Sequence, residues 1–100
     1  MIFLIALAAA TGHPLNMTLE FGVGRGSCAT TYQTLDDAAI ANWILGYWTG
    51  LNQAYAKTIG TSTDGAGIIA EVKRRCAAAP ASQTIEIINA FYRERATAER

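Results

Sequence analysis

Few residues in this chain have side chains that do chemistry. They are the cysteines Cys28 and Cys76, the single histidine His13, and the acids Asp36, Asp37, Asp64 and Glu71. A cysteine nucleophile needs a base beside it, and the only imidazole sits next to Pro14 in a stretch with no sustained periodicity. The cysteines do not form a C-x-x-C pair, and two thiols without a neighbouring histidine make a poor zinc site. The acids have simpler uses. Asp36 and Asp37 stand where a long helix begins, Asp64 stands before a second helix, and Glu71 lies four residues before Arg75, the spacing of a helical ion pair. With no nucleophile and base in sequence register, the expectation is a chain with no catalytic, cofactor-binding or metal-binding residues.

The cysteines are best explained as a staple. Cys28, Tyr32 and Leu35 recur at helical spacing, and Cys76 continues the apolar face of Ile68, Ile69 and Val72, so each thiol points inward from its own helix. A bond between residues 48 positions apart restricts the unfolded chain by roughly 4 kcal/mol in the loop-entropy picture. That contribution matters in a chain of 100 residues, which is one domain at most and buries a limited core.

The element that positions the rest is the stretch Asp36 to Lys57, expected to be one long central helix. At 100° per residue Ile40, Ile44, Tyr47, Leu51 and Tyr55 share a stripe, with Trp43 and Trp48 on its two flanks. A second strip, Ala39, Trp43, Gly46, Gly50 and Ala54, is small apart from the tryptophan. Each interior glycine costs a helix about 1 kcal/mol relative to alanine, so close backbone approach must recover the loss, either within the domain or at a partner interface. Leu45, Gly46, Trp48 and Gly50 form the candidate interface, and Ile44, Tyr47, Leu51, Ile68, Val72 and Ile88 the core.

Around this helix the spacing predicts a short helix from about Arg25 to Gln33 and a left-handed Gly60 ending the central helix. A third helix should be capped by Ser62, Thr63 or Asp64, and a last one should open at Pro80 or Ser82, with Arg95–Arg100 fraying. The fold class is therefore all-α: a three- to four-helix domain over residues 21–97, with one disulfide between the first and third helices. Ahead of it, Ile2 to Ala10 has the apolar character of a secretory signal, ending in small residues that suit cleavage, and residues 11–20 read as a linker or arm. Export and a disulfide go together, which points to the periplasm or a secreted location.

Charge narrows the partners. Eight Lys and Arg balance eight Asp and Glu, and the only basic run, Lys73-Arg74-Arg75, spreads around a helix, so no phosphate-binding stripe forms and nucleic acid is not an expected partner. The apolar run is too short to span a bilayer, so stable membrane insertion is not expected either.

Three blocks carry a resemblance: Gly22-x-Gly24-x-x-Ser27-Cys28-Ala29-Thr30, then Trp43-Ile44-Leu45-Gly46-Tyr47-Trp48-Thr49-Gly50-Leu51-Asn52, then Thr63-Asp64-Gly65-x-Gly67-Ile68-Ile69-x-Glu71-Val72 with Cys76-x-x-x-Pro80. Together they resemble a group of small exported bacterial proteins. More distantly, they are similar to the superfamily of HdeA acid-stress chaperones and Tai-type immunity proteins of type VI secretion. The resemblance implies a small periplasmic helical protein with a disulfide joining an early helix to a later one, and no enzymatic activity.

Two functions follow as expectations. The first is a chaperone or structural partner acting through an apolar surface. Near pH 2 its carboxylates would be neutral and its charge roughly +9, enough self-repulsion to loosen short helices. The second is an immunity protein that plugs a toxin enzyme, for which the 57–63 loop is the candidate plug. The expected partner is thus a protein, whether a client, a toxin or a second copy in a homodimer.

Overall fold

Helices start in this chain where a short polar side chain can take up the free N–H groups of a first turn. In the computed structural model, which describes residues 22–99, Ser27 accepts from Thr30 N, Asp36 from Ala39 N at 2.8 Å, and Asp64 from Gly67 N at 2.7 Å. The helices that follow are α1 (Cys28–Thr34), α2 (Asp37–Tyr55) and α3 (Gly65–Ala78), with α4 (Thr84–Ala98) completing the set. A short 3-10 turn, Gly22–Arg25, precedes them, and the described residues contain no β-strand. The signal and linker assigned to residues 1–20 lie outside the described residues, as does His13.

Four boundaries differ from the expected ones, the first being that α1 begins at Cys28 and not near Arg25, which belongs to the 3-10 turn. The central helix ends at Ala56, a non-glycine residue with φ 52°, whose N–H reaches Asn52 O and Gln53 O; Gly60, with φ 115°, turns the loop beyond it instead. The last helix is capped from Gln83, whose N–H donates to Glu86 Oε1 at 3.2 Å, rather than opening at Pro80 or Ser82. The carbonyls of Pro80 and Ser82 instead accept from Ala29 N at 3.0 Å and Cys28 N at 2.8 Å, satisfying the start of α1. Finally, α4 does not fray at Arg95 but continues to Ala98.

Cys28 and Cys76 are bonded, joining α1 to α3 with their Cα atoms 5.1 Å apart. The disulfide, the α1 backbone bonds to the α3–α4 turn and the buried Thr31–Thr84 hydroxyl pair at 2.9 Å lock one end of the bundle. The core runs from there through Ile40, Ile44, Ile68, Val72 and Ile88 to Trp48, Phe91 and Tyr92. Tyr47 and Leu51, expected in that core, are only half-buried and pack on its edge, while Tyr55, expected on the same stripe, is 63% exposed. The inward position is taken instead by the Trp48 ring, and Ile59 is bonded to α2 through Trp48 and Asn52.

Ion pairs tie α3 to α4. Arg75 places its guanidinium bidentately on Glu94, at 2.7 and 2.8 Å, and over the Phe91 ring at 4.6 Å, while its Nε donates to Glu71 at 2.7 Å. The expected Glu71–Arg75 pair is thus present and extended, with Arg74 also donating to Glu71.

Candidate interaction surface

From Ala38 to Ala56 the chain carries no charged residue, yet only Ile40, Ile44 and Trp48 of this stretch are buried. Trp43, Leu45, Tyr47 and Leu51 are partly buried against the core, and the remaining side of this stretch is exposed, so its residues divide into those that hold the fold together and those that do not.

The motif Trp43 to Asn52 separates along that line. Trp48 belongs to the fold. Its ring is 4% exposed, lies 5.2 Å from Phe91 and 5.0 Å from Tyr92, and its Nε1 donates to Ile59 O at 2.8 Å. It therefore cannot form the exposed edge of an interface, as its flank position suggested; the indole is drawn inward because the Ile59 carbonyl gives its N–H a buried acceptor. Asn52 also belongs to the fold. Its amide donates to Ile59 O and its carbonyl oxygen accepts from Ile59 N, both at 3.0 Å, and from Tyr92 Oη at 2.9 Å. The Tyr47 hydroxyl donates to Asn89 at 2.7 Å, and the Leu45 side chain lies half-buried against the start of α3, where a Cβ on Gly65 would sit 3.5 Å from it.

Gly46 and Gly50 are left over. Both are exposed, and a Cβ built on either meets no atom within 4 Å. Close packing inside the domain, one of the two explanations open for them, is excluded for the described residues. Gly24 gives the contrast, because a Cβ there would lie 2.7 Å from the Trp43 ring, so that glycine is required by the packing of the chain itself. Beside the two open glycines, Trp43 and Tyr47 stack with ring centroids 5.3 Å apart and planes within 7°.

The 56–63 loop next to this face is held from both sides. Asn52 and Trp48 fix Ile59 from α2. From α4, the Glu99 carboxylate accepts from Gly60 N at 2.9 Å, from the N–H and hydroxyl of Thr61, and from the N–H and hydroxyl of Ser62, to which Arg95 also donates at 2.6 Å. These donors, Ser62 first and Gly60 next, hold the Glu99 carboxyl down at about 2. No local pattern marks this clamp in the sequence, since Glu99 lies where fraying is expected.

Three of the four acids considered for chemistry are engaged. Asp36 and Asp64 cap helices, Asp37 sits in the first turn of α2, and Glu71 is held at about 2 by Arg74 and then Arg75. Among the described residues there is no group of three or more His, Cys, Asp or Glu able to hold a metal ion, and no helix long and apolar enough to cross a membrane.

Neither a known family, a curated protein nor a solved structure matches the chain.

Proposed function

We propose that this chain is a non-enzymatic, exported protein-binding domain whose contact face is the uncharged outer side of α2, centred on Gly46 and Gly50, and that it pairs there with a second copy of itself. The observation that carries this is the open space over both glycines. Each lowers helix stability by about 1 kcal/mol relative to alanine, and nothing within the described chain approaches their backbone to recover it. A partner helix laid against them would. A self-matched pairing brings no like charges together, because the stretch between Asp37 and Lys57 has none. The stacked Trp43–Tyr47 pair borders the notch on one side with partly exposed apolar area, exposed Asn42, Thr49 and Gln53 border it on the other, and Leu45 lies beyond them against α3. The disulfide suits an oxidising compartment, in keeping with a periplasmic or secreted location, and an apolar contact face fits the chaperone-like role expected from the similarity to HdeA-type proteins.

One observation favours a second reading, the immunity protein. The 57–63 loop is pinned by Asn52, Trp48 and Glu99, and a loop held in one conformation binds a partner at lower entropic cost than a free one. Light scattering on the protein and on Gly50→Leu tests the first reading. Mutagenesis of Lys57 and Thr58, both exposed on the loop, against a captured toxin tests the second.

A further inference from the structure

Two apolar hollows adjoin along α3. One, of about 320 Å³, is walled by α1, α3 and Pro80, with the disulfide at its base; the other, of about 460 Å³, lies between α2 and α3 and is walled largely by Ala38, Ala41, Ala66, Ile69 and Ala70. They share two residues, Tyr32 and Lys73. Both are unusual. The Tyr32 hydroxyl is buried and has no hydrogen-bond partner among the described residues, and burial, then the Asp37 carboxylate, push its pKa up, so it stays a donor. Lys73 is exposed and has no ion partner among the described residues, whereas its neighbours Arg74 and Arg75 are both engaged by Glu71.

Two apolar troughs meeting at one unpaired cation and one donor without an acceptor match a ligand that is mostly hydrocarbon with a single anionic end. We propose that the seam across α1, α3 and α2 binds a long-chain monocarboxylate, with its head group at Lys73 and Tyr32 and its chain along the alanines of α2 and α3. The carboxylate supplies the acceptor that the Tyr32 hydroxyl lacks among the described residues, and its binding requires the ring to turn outward at the seam. Asp37 lines the larger hollow too, and its carboxylate acts on the Tyr32 hydroxyl, so the head group sits toward Lys73, whose cation offsets that repulsion, with the hydrocarbon along α2 and α3. The seam shares no residue with the glycine face, so it stands or falls separately from the pairing proposed above.

The test is calorimetric titration of the intact, oxidised protein with sodium dodecanoate below its micellar range, with dodecylamine as the control of opposite charge. Saturable one-to-one binding of dodecanoate is expected, reduced about tenfold or more by Lys73→Gln and abolished by Ala70→Trp, which fills the larger hollow from an exposed helix position. Ala66→Trp serves the same purpose if Ala70→Trp loses its helical circular dichroism. Absence of saturable binding, equal binding of dodecylamine, or unchanged binding by a folded groove-filling variant would each overturn the proposal.

Discussion

Asn52 and Ile59 hold each other by two reciprocal hydrogen bonds of 3.0 Å, amide to carbonyl and N–H to amide oxygen, so that one side chain of α2 replaces a strand neighbour for the loop that follows it. The same amide oxygen accepts from Tyr92 on α4. One residue thereby sets the loop, the end of α2 and the position of α4.

Replacing Asn52 by alanine leaves the Ile59 N–H and the Tyr92 hydroxyl without their acceptor. A loss of about 1–3 kcal/mol in chemical denaturation is expected, since both groups are partly buried and an orphaned group costs about 1–3 kcal/mol only when fully buried. Hydrogen exchange should rise across residues 57–63 before it rises in α3. Unchanged exchange in the loop would show that Trp48 and Glu99 suffice to hold it.

Ile44 is fully buried and Leu51 is not, so the two truncations to alanine should differ. Ile44→Ala is expected to cost about 2–5 kcal/mol by leaving a cavity, and Leu51→Ala less, because solvent can occupy part of the space. Urea unfolding of both variants measures the difference.

Glu99 and Glu71 give the acid response its sign. Both carboxyls are held at about 2 in the folded chain against an ordinary value of 4.5. Their contribution is complete above pH 4.5 and is lost as pH falls through about 2, because the unfolded chain takes up protons first. The melting temperature should therefore be insensitive to these two groups between pH 7 and pH 5 and fall between pH 4.5 and pH 2. Glu99→Gln should flatten that fall and loosen the 59–62 segment at neutral pH. A steeper fall in the variant would contradict the assignment.

Gly46→Ala and Gly50→Ala should each stabilise the isolated monomer by about 0.5–1 kcal/mol, since the added methyl meets open space and the helix gains propensity. Thermal melts at low concentration, where self-pairing is minimal, are the appropriate measurement. Destabilisation would mean that something of the chain itself lies over the glycines.

The helices, the cap residues Asp36 and Asp64 and the Cys28–Cys76 bond are legible in the sequence because each has a local signature: a 3.6-residue apolar period, a short acid before it, two inward-facing thiols. Trp48 is not, because periodicity locates a side chain on a helix but not the acceptor that draws it in, here a carbonyl eleven residues later. Tyr55 departs from expectation as well: its ring reaches only the edge of α4, 6.3 Å from Tyr92 between centroids, and stays 63% exposed. The Glu99 clamp, and the Tyr32 hydroxyl that has no partner among the described residues, depend on contacts 37 and more residues apart or on a missing contact, and neither leaves a pattern in a linear chain.

The most direct test of α2 as a contact face is the molar mass from light scattering across a concentration series, for the native protein and for Gly50→Leu. Because no atom of the described residues lies within 4 Å of a Cβ at that position, the first carbon of a leucine side chain there meets no packing from them, and the side chain projects toward whatever docks on that face. The expected result is a native mass that rises to that of a dimer, and a Gly50→Leu protein with unchanged helical circular dichroism whose mass stays monomeric or whose association is clearly weakened. A native protein that remains monomeric at high concentration, with Gly50→Leu equally folded and equally monomeric, would contradict the pairing of two copies through this face.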